Sequence, residues 1–131
     1  MKLSIDEILL INALEKLVGV NAKDCIVDGQ LVSFLVRDID MGKAIGKKAS
    51  NIKKLQEKLN KRIEFIPLHE KAEDVFAKAL EIDYVTARKT NHKLIVLLDA
   101  QNKAKAYCNN SRIKRVKELI KRNYGLELVV N

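Results

Sequence analysis

The run Ala44-Ile45-Gly46-Lys47-Lys48-Ala49-Ser50-Asn51-Ile52 holds the residue types best suited to chemistry, and that chemistry is the holding of phosphate. Gly46 has no Cβ, so amides beside it can approach an anion at angles that other residues resist. A helix beginning just after the loop adds partial positive charge from its N-terminus. Lys43, Lys47, Lys48, Lys53 and Lys54 surround the run with full charges. A nucleotide-hydrolase loop is a poor fit, because three residues rather than four separate Gly42 from Gly46 and Lys48 stands where Ser or Thr is needed. Catalysis finds no support elsewhere. His69 and His92 lack acidic or cysteine neighbours at useful spacing and are expected at the surface. Cys25 is expected in the core and Cys108 as a passive thiol in a polar, cationic loop. Asp38, Asp40 and Asp99 read as helix caps. No enzyme, metal site, cofactor or small-molecule substrate is expected.

Charge placement extends this chemistry beyond the loop. Residues 43–62 carry eight Lys or Arg against Glu57 alone, a window of +7. Residues 103–122 repeat +7 with Glu118 as their one acid, so a total of +8 leaves the rest of the chain at −6. Two basic footprints on an otherwise acidic chain suit a polyanion, the plain alternative being two solvated helix faces. The 131 residues, 47% apolar, can build one ordinary domain or two very small ones. No apolar run reaches the roughly 18–20 residues that span a bilayer, and no apolar leader follows Met1, so no membrane partner is expected. Cys25 and Cys108 lie far apart without CxxC spacing, which fits a reducing, cytoplasmic compartment. Trp is absent and Gly, Pro and aromatic residues are scarce, so helices should dominate.

The elements that must position the loop can be read in order. Ile5, Ile8, Leu9, Ala13, Leu14 and Leu17 recur at near-helical spacing after Ser4, with Glu7 completing a capping box and Gly19 ending the helix. Residues 25–27, a turn at Asp28-Gly29 and residues 31–36 read as a hairpin. A polar stretch and a short helix lead to the break at Gly46 to Ala49. Ser50 is expected to cap a basic helix with Ile52, Leu55 and Leu59 inward, and a strand at 63–66 closes the unit before Pro67.

The order then starts again: a helix over 72–80, strands over 84–88 and 94–98, a basic helix from Ser111 and a strand over 126–130. Residues 32–59 align without a gap on residues 93–120, pairing Asp38 with Asp99, Ser50 with Ser111, Ile52 with Ile113, Lys53 with Lys114 and Glu57 with Glu118. Phe34/Ile95, Val36/Leu97, Lys54/Arg115, Leu55/Val116 and Leu59/Ile120 keep their chemical class. The expected fold is therefore α+β, the order α-β-β-α-α-β twice, divided as 1–67 and 68–131. A helix-turn-helix DNA reader using Ser50 to Asn60 is the rival; it does not need the flanking strands.

The run at Gly46 resembles the GxxG loop of the KH family, which clamps the backbone of about four nucleotides of a single strand beside an apolar groove. The helix-first, strand-last order resembles the type II form of that fold. Two such units in tandem resemble the KH pair of the NusA family of transcription termination and antitermination factors in its short archaeal form. That resemblance implies single-stranded RNA, a nascent transcript, as ligand and RNA polymerase as a further partner. It places Lys43, Ile45, Gly46, Lys47, Lys48, Ala49, Ser50, Asn51, Lys53 and Lys54 at the RNA, with Ile52 and Phe34 shaping the groove floor. Ala49 replaces the second glycine, so weakened rather than lost binding is expected. The second loop, Tyr107-Cys108-Asn109-Asn110, has no glycine at either end. Asn109 and Asn110, with Arg112, Lys114, Arg115 and Lys117 behind them, are expected to touch RNA peripherally, the alternative being that this unit props up the first, and Tyr107 could stack on a base. The missing glycines also motivate a second class of function, a protein-interaction scaffold for the transcription or translation machinery. Gly46→Asp is the expected discriminating variant.

Overall fold

The computed structural model describes residues 3–83, 85–108 and 110–131, the side chain of Asn110 excepted. The chain divides into two compact units, Lys2–Leu68 and His69–Asn131. In the first, α1 (Ile5–Val18) leads to the strands β1 (Ala22–Asp28) and β2 (Leu31–Arg37), then to α2 (Met41–Ile45), α3 (Ser50–Leu59) and β3 (Arg62–Leu68). In the second, α4 (Ala72–Ala79), β4 (Thr86–Thr90), β5 (Lys93–Leu97), α5 (Ala100–Tyr107), α6 (Asn110–Tyr124) and β6 (Glu127–Val130) follow the same order. Each unit holds a three-stranded sheet, ordered β1-β2-β3 or β4-β5-β6, whose first pair is antiparallel and whose second pair is parallel. A parallel pair needs a long crossover between its strands, and the two helices supply it.

Local chemistry explains the first helix. Ser4 Oγ accepts from the Glu7 amide at 3.2 Å while Glu7 Oε1 accepts from the Ser4 amide at 2.8 Å, the reciprocal capping box. Gly19, at φ 76°, ends the helix and donates to Glu15 O. The apolar pattern splits between two environments, however. Leu14 is buried and Leu10, Ile11, Leu17 and Val18 pack on the core, whereas Ile5, Ile8 and Leu9 are exposed.

Val32, Phe34 and Val36 of β2 enter the first core with Cys25, Ala44, Leu55 and Ile63. Phe34 stacks on Phe65, with ring centroids 5.7 Å apart. Ser33, also buried, is satisfied by donating from its hydroxyl to Glu64, its paired residue on β3. The hairpin loop is Gly29-Gln30 rather than Asp28-Gly29, because Asp28 still pairs with Leu31 and Gly29 takes the positive φ of 60° at the first loop position. Its counterpart is Asn91-His92, where Asn91 adopts φ 53°; asparagine is among the few residues that visit this region readily.

These hairpins correct the internal alignment. Equivalent loops stand 62 residues apart (29 and 91), and the inward residues Val32 and Phe34 correspond to Leu94 and Val96, all fully buried. The gapless offset of 61 instead matches Phe34 to Ile95 and Val36 to Leu97, which face the other side of their sheet; Leu97 is 48% exposed. A slip of one residue exchanges the faces of a strand. In the helices the offset of 61 holds, since Leu55 and Val116 are both buried. The second unit is thus one residue shorter between β5 and α6. The expected strand start at Tyr84 lies outside the described residues.

Candidate nucleic-acid interface

The loop from Gly46 to Ala49 is built from unusual backbone. Gly46 sits at φ 79°, ψ 168°, a region that is essentially glycine-only, and its amide closes α2 by donating to Gly42 O at 2.9 Å. Lys48 (φ 54°) and Ala49 (φ 60°) are both left-handed. Ala49 therefore adopts the conformation for which the family pattern uses glycine, at a cost of about 1–2 kcal/mol for a residue with a Cβ. The Ala49 amide donates to Gly46 O and the Ser50 amide to Lys47 O. The amides of Lys47 and Lys48, at the start of this turn, have no acceptor among the described residues. Both side chains are exposed, so two open N–H groups stand between two ammonium groups.

Ser50 does not cap α3. Ala49 occupies the cap position without a side-chain bond, and Ser50 already has helical dihedrals. Asn51 does the bracing instead, donating from Nδ2 to Lys43 O at 2.7 Å and so tying the start of α3 to α2 across the loop. A Cβ placed on Gly46 would come within 2.8 Å of the Asn51 amide and of Ser50 Oγ. Gly46→Asp is consequently no clean probe: it disrupts the loop before its charge can act on a ligand.

Other expected residues divide by where their side chains go. Lys47, Lys48, Lys53 and Ser50 are exposed at the loop or the start of α3, and Ile45 and Ile52 are half-buried beneath them. Lys54 Nζ donates to Leu17 O at 3.3 Å, and Lys43 Nζ lies beside Gly19, so both ammonium groups gather at the C-terminus of α1, where the helix dipole favours cations. Sequence spacing gave no sign of this use of Lys43 and Lys54. Phe34 is fully buried and forms core, not groove floor. Asp40 pairs with Arg37 at 2.9 Å and makes no capping bond, nor does Asp38, whereas Asp99 Oδ1 caps α5 by accepting from the Asn102 amide at 2.8 Å.

The equivalent stretch in the second unit is shorter, since α5 ends at Tyr107 and α6 begins at Asn110. Tyr107 ends α5 with its ring 48% exposed, Cys108 is right-handed (φ −61°, ψ −23°) and exposed, and α6 begins at Asn110. Asn109 and the Asn110 side chain, both expected at RNA, lie outside the described residues. Arg115 is only 5% exposed and its guanidinium donates to Ser111 Oγ, while Arg112 Nη1 donates to Ala79 O at 3.0 Å, behind α4. Those two arginines serve packing rather than the outer surface; Lys114 and Lys117 face outward. His92 is exposed, but His69 is half-buried with Nε2 unpartnered among the described residues, and its carbonyl accepts from Tyr124 Oη. Burial raises the Tyr124 pKa above 10.0, and the charge of Asp74 adds to the shift. Among the described residues no cluster of His, Cys, Asp or Glu could hold a metal ion, and no helix is long and apolar enough to cross a membrane.

The comparisons with known proteins agree with this geometry. Residues 10–83, more than half of the chain, match the KH domain model. The chain is 30% identical over 107 residues to the probable transcription termination protein NusA of Methanocaldococcus jannaschii, covering 72% of this chain and 58% of the relative. It is 32% identical over 100 residues to the protein of the same name from Methanococcus vannielii, covering 73% and 57%. It spans a little over half the length of these curated relatives. The crystal structure of APE1850 superposes with a TM-score of 0.82 at 25% identity, covering 98% of this chain and all of that one. A basic loop hinged at Gly46 between two helices, together with the match to residues 10–83, establishes that the chain belongs to the KH domain family, and within it the chain is similar to the archaeal NusA proteins.

Proposed function

We propose that this chain is a non-enzymatic factor that binds single-stranded RNA through the loop Gly46 to Ala49, in transcription elongation or termination. The observation that carries it is the pair of open amides at Lys47 and Lys48 between their own exposed ammonium groups. Backbone N–H groups and lysines hold phosphate oxygens and so fix a strand without reading its sequence. The half-buried Ile45 and Ile52 offer bases an apolar floor beside the loop. In this proposal the two units, 1–67 and 68–131, are tandem type II KH domains and the first is the principal RNA site. The names of the archaeal relatives support the transcriptional setting; RNA polymerase as a further partner and the cytoplasm as location are part of the proposal.

The test is a salt titration with labelled single-stranded RNA, comparing the wild type with Lys47→Gln/Lys48→Gln. Each phosphate contact contributes about −0.7 to the slope of log K against log salt, so losing both should make it shallower by about 1.4. An unchanged slope in the folded variant would exclude the loop as the clamp. Duplex DNA serves as the control, because a helix-turn-helix reader would prefer it.

A further inference from the structure

The two units leave opposite surfaces open. Helix α1 is apolar on two sides: Leu10, Ile11, Leu14, Leu17 and Val18 pack on the core, whereas Ile5, Ile8 and Leu9 are exposed, Ile5 by 77%. At 100° per residue Ile5, Ile8, Leu9 and Asn12 form a stripe about 100° wide and roughly 10 Å long. The counterpart α4 keeps no such stripe. Leu14 and Phe76 are both fully buried, at the same spacing of 62 as the hairpins, yet α4 buries five of its eight residues and α1 only Glu7 and Leu14. The sheets show the reverse. On the side away from Val32 and Phe34, the residues Ile26, Ser33, Leu35 and Ile66 of the first sheet are buried. On the matching side of the second sheet, Ile95 and Val129 are half-buried and Leu97 is exposed. Contiguous apolar side chains in water, on faces whose equivalents are buried, mark interaction surfaces.

We propose that these two surfaces dock on each other between copies of this chain, the α1 stripe of one copy seating on the open face of the second sheet of the next. Dimensions and charge select a second copy as the occupant. Two interstrand gaps of about 4.8 Å make the three-stranded face about 10 Å wide, the length of the stripe. Exposed Asp6 and Glu15 flank the stripe, and exposed Arg88 and Lys93 lie on the sheet face, Arg88 in register with Ile95. The acid on that face, Glu127, is matched by Lys16 at the end of the stripe. Among the described residues none of these six makes an ion pair. Helix and sheet are unlike surfaces, so the contact is heterologous: a docked pair still has one free end of each kind and can add further copies. Two helical turns cover less than the roughly 1,600 Å² of a standard interface, so association is weak and depends on concentration. On the RNA reading above, each added copy brings one more Gly46 to Ala49 loop to the same strand, which raises avidity without a new contact at any loop.

The experiment is analytical ultracentrifugation of the whole chain without RNA, from about 10 μM to about 1 mM, the range of weak contacts. Because no RNA is present, its outcome is independent of the loop assignment. The weight-average mass of the wild type should rise with concentration and pass that of a dimer. Ile5→Glu/Leu9→Glu closes the helix end and Leu97→Glu closes the sheet end, and each variant alone should stay monomeric. Urea unfolding checks that both are folded, and Leu97→Ser replaces Leu97→Glu if the latter is not. Mixed in equal amounts, the two variants should form dimers and nothing larger, because only one intact helix end and one intact sheet end remain per pair. A wild type that is monomeric throughout overturns the proposal and leaves the stripe to another protein or to solvent. A Leu97→Glu variant that still associates overturns it in favour of a helix-to-helix contact. A helix-end variant that still associates, or a mixture that stays monomeric, overturns it as well.

Discussion

The two interhelical turns occupy the same place in the same order of elements, yet they solve different problems. From Gly46 to Ala49 the chain takes three positive φ angles in four residues and leaves two amides open. Between α5 and α6, Cys108 stays right-handed and the next helix begins at Asn110. The positive φ of Gly46 interrupts the helical ladder and leaves the next amides without acceptors, whereas Cys108 keeps helical dihedrals at the end of α5. The proposed phosphate clamp thus rests on backbone conformation, for which the first unit has Gly46 and the second unit no glycine between α5 and α6. There, positive charge resides on the side chains of a longer helix.

The comparison breaks most sharply at Gly46. Gly46→Ala should cost roughly 1–3 kcal/mol of backbone strain, with the clash against Asn51 and Ser50 added, and should abolish loop-dependent RNA binding. Urea unfolding and an RNA titration on the same preparation would measure both. By contrast, Cys108→Ala in the second turn should leave RNA affinity unchanged, since that position makes no special demand on the backbone. Equal losses in the two variants would erase the distinction between the turns.

Smaller effects sharpen it. Tyr124→Phe removes the hydroxyl that donates to His69 O and should cost about 1 kcal/mol within the second unit, read by urea unfolding. Because the folded pKa of Tyr124 is raised, the folded state favours the neutral phenol. Its contribution is fully present below about pH 10, the unfolded value, and is lost as the pH rises through the folded pKa. A wild-type stability that fell with pH there no faster than that of the Phe variant would contradict this. The smallest effect belongs to Ala49→Gly, where relief of left-handed strain is partly offset by the entropy of a new glycine. A gain of a few tenths of a kcal/mol is expected, with RNA affinity equal to or above that of the wild type.

Several features were legible in the residues themselves because short-range chemistry governs them. Ser4 and Glu7 form a capping box across three residues, and Gly19 and Gly46 sit where positive φ is required. Asp99 caps its helix, and the repeated order of elements follows from local periodicity. Even the weakness of the loop, an alanine in a glycine position, was visible as a residue type at a spacing.

What only the tertiary structure decided depended on facing and distance. A one-residue difference between the units moved Ile95 and Leu97 to the outer side of their sheet, which a gapless alignment cannot reveal because strand faces alternate with every residue. Lys43 and Lys54 carry charge like their neighbours, but their heads gather at Gly19 and Leu17, far away in sequence. Arg115 and Lys114 are adjacent in the chain, yet one is buried and the other exposed. A helix turns its successive residues 100° apart, so a charged window read along the chain counts cations that the fold sends in opposite directions.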